Sequence, residues 1–166
     1  MKKLFKTLIS IGFALLLLLS AGCKKNETPK EESTAEAFAE EFIRAYESGD
    51  FLKALEYFPP SFASYEAERR GMSEEEYRKY LKDASEAYQA EYALTIGSCE
   101  ISVAAELNED ALADIQTRYG LDTITEGMRM NALVNISLDY VPDTVPFIFD
   151  VIRINGEWYV SPEFGL

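Results

Sequence analysis

The sequence predicts an α+β domain in which helices come first and a meander of antiparallel strands follows. Three observations carry this. Apolar residues recur at three- and four-residue spacing from Phe38 to Tyr88, the period of helices with one buried face. The pattern then changes to alternation, cleanest from Met128 to Tyr140, which is the period of a half-buried strand. Near the end, Asn155-Gly156 lies between two apolar runs and marks a two-residue hairpin turn. Helices followed by strands imply helices packed on one face of an antiparallel sheet.

Each element has its own signals. Ser33-Thr34-Ala35-Glu36 has capping-box spacing and opens the first helix, whose buried face carries Phe38, Phe42, Ala45 and Tyr46. Gly49 closes that helix, and Asp50 caps a second from Phe51 to Phe58, which Pro59-Pro60 ends. A third helical region runs from Phe62 to Glu91 with a break at Gly71 and a second capping box at Ser73-Glu74-Glu75-Glu76. Tyr77, Tyr80, Leu81, Ala84 and Tyr88 form its apolar stripe. Leu94 to Leu107 reads as a strand with Cys99, Ile101, Val103 and Ala105 toward the core. Asn108 caps a short helix from Glu109 to Tyr119, closed by Gly120. After the Met128–Tyr140 strand, Pro142-Asp143 is the expected turn, Phe147 to Ile154 the next strand, and Trp158-Tyr159-Val160 the last.

The first 22 residues have a different character. Lys2, Lys3 and Lys6 precede an apolar run from Leu8 through Leu19, and small residues lead to Cys23. That order is a secretory signal. The run is about a dozen residues, short of the roughly 20 that a spanning helix needs. Leu19-Ser20-Ala21-Gly22-Cys23 resembles the lipobox of bacterial lipoproteins, with Ser20 where Leu is commonest. The resemblance implies cleavage before Cys23 and a thioether-linked diacylglycerol on it. Two or more acyl chains hold a protein stably on a membrane where one does not. Residues 23–32 then form the lipidated cysteine and a polar tether, and 33–166 a single domain.

Removing the signal leaves 144 residues, enough for one domain. From Glu31 onward there are 10 Lys and Arg against 28 Asp and Glu, a net charge of −18. Such a surface repels phosphate backbones and anionic headgroups, so nucleic acid is excluded as a partner. There is no histidine, which removes His-based acid–base chemistry and most zinc, copper and iron sites. With Cys23 lipidated, Cys99 has no disulfide partner and reads as a small buried hydrophobe. Neither a calcium loop nor a P-loop, dinucleotide fingerprint or nucleophile elbow is present, and neither cofactor nor metal is expected.

An N-terminal amphipathic helix, Ser48-Gly49-Asp50 leading into Ala54-Leu55, and the closing Ile154-Asn155-Gly156-Glu157-Trp158-Tyr159-Val160 together resemble the nuclear transport factor 2-like, cystatin-related group. The resemblance covers roughly residues 33–162. It implies a curved sheet wrapping a long helix into a cone. A pocket between sheet and helices would be lined by Tyr46, Tyr57, Tyr77, Tyr80, Tyr88, Asp150 and Trp158. Some members of that group are isomerases or cyclases using a buried carboxylate. Asp150 shares a strand side with Ile148, Ile152 and Ile154 and is the one carboxylate the alternation places inward. An ion pair with Arg129 or Arg153 is its plainer role, and the chain is expected not to be an enzyme. The expected function is a lipid-anchored binding module on the extracytoplasmic face of the cell membrane, with an envelope protein or a second copy as partner. A small-ligand carrier using the cone is the alternative, and an isomerase- or cyclase-like enzyme the third reading.

Overall fold

The computed structural model describes residues 34–166. The expected signal, Cys23 and tether lie outside them, as does Ser33. Helix α1 (Ala35–Glu47) begins one residue later than the capping-box spacing implies. Thr34 is the cap: its backbone is extended, and its Oγ1 accepts a hydrogen bond from the Ala37 N–H at 3.2 Å. Position N3 is therefore Ala37, which has no carboxylate to return the bond.

Gly49, at φ +70°, ends α1, and Asp50 accepts from the Lys53 N–H at 3.2 Å to start α2 (Phe51–Leu55). Tyr57 and Phe58, expected inside α2, instead make three-residue turns to Ala54 and Leu55 on the way to Pro59. Helix α3 (Phe62–Arg69) and helix α4 (Glu74–Glu91) are separated at Gly71, φ +71°. The box on α4 is complete, with Glu76 N–H to Ser73 Oγ at 3.2 Å and Ser73 N–H to Glu76 Oε2 at 2.7 Å.

Strands β1 (Leu94–Glu106), β2 (Ile124–Leu138), β3 (Val141–Ile154) and β4 (Glu157–Val160) form one antiparallel sheet in sequence order. Helix α5 (Glu109–Tyr119) interrupts the meander between β1 and β2, capped by Asn108 and closed by Gly120 at φ +59°.

The β2–β3 turn corrects the sequence expectation. It is Asp139-Tyr140, both at positive φ, with Leu138 paired to Val141; Pro142 and Asp143 already lie within β3. Proline is tolerated there because β4 pairs only with Val151–Ile154, which leaves the outer edge of β3 free beside Pro142 and Pro146. A missing N–H costs nothing on an unpaired edge. Tyr140, expected in the alternating set, stands at the turn tip at 92% exposure.

Strand β1 also departs from a simple alternation. A bulge between Ile96 and Cys99 resets the phase, so Ile96, Cys99 and Ile101 all pack toward the core. Val103 keeps the phase of Ile101, opposite Met130, yet is exposed on the edge strand. A second irregularity between Val103 and Ala105 sets Ala105 beside Arg129, exposed where the period had placed it inward. The free Gly97 carbonyl in the first bulge accepts from Arg44 Nη1 of α1 at 3.1 Å.

The main core lies between α1–α4 and one sheet face. Phe42, Ile43, Tyr77, Met130, Val134, Val151 and Val160 are fully enclosed there. A smaller cluster of Ile115, Ile124, Ile152 and Ile154 sits apart from it. Ile152 and Ile154 alternate with Phe149 and Val151, so this cluster is on the opposite sheet face, under α5. The helices thus do not all pack on one face. Gly127 makes the approach possible: a Cβ there would come within 2.6 Å of Leu112 and 2.9 Å of Leu107.

Candidate functional site

Beyond the α5 cluster, no other described element covers that second face of the sheet. Cross-strand register sets its rows: Ser98 near Asn135 and Thr144, then Glu100–Leu133–Pro146, then Ser102–Asn131–Ile148, then Ala105–Arg129–Asp150. Residues in one row share a face, since side chains alternate along each strand. Every residue of the middle two rows is exposed. Leu133 at 46% and Ile148 at 71% are the large apolar members, and they lie diagonally across β2 and β3 with Pro146 beside them. Between the rows the side chains of Ile101, Ala132 and Phe147 point to the core, so only backbone floors the gap. The result is a shallow trough across three strands, about 430 Å³ in volume.

Polar arrangements close both ends. Asn135 Nδ2 donates to Ser98 Oγ at 2.7 Å, and Thr144 Oγ1 donates to Asn135 Oδ1 at 2.7 Å. At the other end Arg129 Nε and Nη2 each donate to a separate oxygen of Asp150 at 2.9 Å. Asp150 is buried at 9% while the Arg129 side chain is half exposed. The hydrogen bond and charge of Asp150 raise the Arg129 pKa. Asp150 therefore serves an ion pair at the edge of the face, and both of its oxygens are taken.

Of the residues proposed to line a cone pocket, Tyr46, Tyr57, Tyr77 and Trp158 belong to or pack against the main core, while Tyr80, Tyr88 and Asp150 do not. Tyr46 packs edge-on to Phe51, Phe147 and Phe164, while Tyr57 does so to Phe38 and Phe42. Tyr88 meets Phe51 from α4. Tyr46 and Tyr57, with Phe58, Phe62 and Phe149, pack ring against ring in the core. Tyr57 also borders a surface groove of about 560 Å³ with Glu41, Arg44 and Lys53.

Tyr77, enclosed in the main core, stacks against the exposed Tyr80 one turn along α4, and both lie beneath the Arg70 guanidinium at about 5.5 Å. The Tyr77 hydroxyl is buried without a hydrogen-bond partner, and burial with the charge of nearby Glu66 pushes its pKa up to about 12. Trp158 lies under Arg153 at 5.5 Å. Asp150 is on the other side of the sheet from the core rings. The seven do not converge on one cavity.

The sequence reading named Arg129 as a candidate ion-pair partner of Asp150, which the structure pairs at 2.9 Å, and Ile148 only as sharing a strand side with Asp150; it passed over Leu133. The signal was present: Leu133 stands in the polar phase of β2, between Ala132 and Val134, which both point inward. An apolar residue out of phase with an otherwise clean alternation marks a side chain that the core does not use. Cys99 is half-buried against the core, and burial raises its thiol pKa. Among the described residues there is no grouping of three or more carboxylates and thiols placed to hold a metal ion. Among them, too, no helix is long and apolar enough to cross a membrane. No family model, curated protein or solved structure matches the chain.

Proposed function

We propose that the protein is a lipoprotein anchored through Cys23 on the extracytoplasmic face of the cell membrane, and that its domain binds an envelope protein through the open face of the sheet. The observation that carries the docking reading is the pair Leu133 and Ile148, exposed diagonally across β2 and β3 on the part of the sheet face that no described helix covers. Contiguous exposed apolar residues rimmed by polar ones mark interaction surfaces. The anchor reading rests on the order Lys2, Lys3, Lys6, apolar run, Ser20-Ala21-Gly22-Cys23.

The helices-then-meander order suits a nuclear transport factor 2-like domain, with the sheet as the wall of the cone. Binding of a protein is favoured over carriage of a small ligand because the core rings fill the space between α1 and the sheet. It is favoured over acid–base catalysis because Asp150 is held at both oxygens by Arg129.

The test places a photo-crosslinking amino acid at Ile148, and separately at Lys79 on the outer side of α4, in the full chain in its host. A discrete adduct with one envelope protein from position 148, absent from position 79, is the expected result. Equal labelling from both, or none from 148, contradicts the docking reading.

A further inference from the structure

We infer that the occupant of the open face is a cationic protein presenting an apolar ridge, and not a second copy of this chain; this rests on the docking reading above. Two observations carry it. The first is charge. Residues 34–166 hold 10 Lys and Arg against 26 Asp and Glu, a net −16. Nine of the ten cations stand within 4.0 Å of a carboxylate. Arg129, the cation at the rim of the trough, is one of them, held by Asp150. Glu100 stands exposed in the trough row beside Leu133, within no ion pair that the described residues make. Two copies meeting here would oppose −16 with −16 and gain no compensating cation. A basic partner is drawn to the same field and steered onto the face.

The second observation is size. Strands about 4.8 Å apart and a rise of about 3.3 Å per residue give the bare rows an area on the order of 400 Å². A stable interface needs roughly 800 Å² on each partner. A self-paired copy would therefore bury about half of what a stable dimer requires, against its own charge. The trough crosses three strands between two rows of side chains, which suits a row of apolar residues along a helix lying across the strands. A contact of this size is weak in free solution. Confinement to one membrane would raise the effective concentration of such a partner, as it would of a second copy, so charge is what separates the two.

The experiment uses the chain from residue 23 with Cys23→Ser, which retains every residue of the described domain. Two 18-residue amphipathic helices are the probes, with the same leucine ridge and either lysine or glutamate on the other face. Binding is mapped by backbone amide shifts. The lysine helix is expected to shift Asn131, Leu133 and Ile148, with affinity falling on the order of tenfold from low to moderate salt. The glutamate helix is expected to leave them unmoved, and Leu133→Asp with Ile148→Asp to abolish the shifts. If both helices bind the face equally, the charge inference fails while the docking reading stands. A micromolar dimer in sedimentation that Ile148→Asp dissolves also overturns it, in favour of a second copy. If the lysine helix shifts only α4 and ignores the double variant, both the inference and the docking reading fail.

Discussion

Arg129 and Asp150 form a two-point ion pair across β2 and β3 at the line where the α5-covered part of the sheet face gives way to the bare part. The burial is unequal, since Asp150 is enclosed and Arg129 half exposed. Removing the arginine strands a buried carboxylate, whereas removing the aspartate leaves a cation that water can solvate. Arg129→Met is therefore expected to lower the thermal midpoint more than Asp150→Asn, and the double variant Arg129→Met/Asp150→Leu to recover most of the loss. Equal losses from the two single variants would show that the pair is not desolvated as described.

Two buried glutamates predict opposite pH dependence. Glu66 is pulled up by burial, but hydrogen bonds and charges from Arg69 and Arg70 outweigh this and lower its pKa. Its contribution is present above the ordinary glutamate value of 4.5 and is lost as pH falls through the lowered value. Glu47 has no such partner among the described residues, and burial raises its pKa. The folded state holds that proton more tightly than the unfolded chain does, so stability falls as pH rises through the raised value. Glu66→Gln is expected to destabilise at pH 7, and Glu47→Gln to raise the midpoint there by about 2–4 °C. Both differences shrink toward zero below both pKa values, which melting curves from pH 3 to 8 would show.

Gly127 sets how closely α5 approaches the sheet. A methyl at that position meets side-chain ends of Leu112 and Leu107 rather than backbone, so α5 moves rather than the fold failing. Gly127→Ala is expected to cost about 1–3 kcal/mol, as small-to-large changes in packed sites do. The change should speed amide exchange around Ile115 without affecting Phe42. Uniform loss of protection across both clusters would contradict the separation of the α5 cluster from the main core.

Cys23→Ala separates anchoring from folding. The variant is expected to accumulate as an unprocessed precursor or leave the membrane, and to lack the alkyne fatty-acid labelling expected of the wild type. Normal processing with unchanged membrane retention would rule out lipidation.

Much of the fold was legible because its signals are local. Asp50, Ser73 and Asn108 each cap a helix within three residues, and Asn155-Gly156 closes its hairpin at the positive φ values those residue types accept. What was missed depends on distant partners. Pro142-Asp143 looked like a turn because proline breaks a paired strand; that this edge of β3 is unpaired follows only from where β4 ends. The helical period of α5 shows an apolar stripe, but not which sheet face receives it. The tyrosines read as pocket-lining were chosen for chemistry, whereas ring-to-ring packing with Phe42, Phe51 and Phe164 decides where they sit. Leu133 was readable in principle, as the residue that breaks the phase of β2.

The most direct measurement uses a small sulfonated maleimide that does not cross the cell membrane. It is applied to intact cells carrying Lys79→Cys or Ile148→Cys, each in a Cys99→Ala background. The account predicts that position 79 reacts in cells as fast as in purified protein. Position 148 should react on the order of tenfold more slowly in cells than when purified, because a partner covers it. Position 79 unreactive until lysis would contradict the extracytoplasmic location, and equal reactivity at 148 in cells and in solution would contradict the docking face.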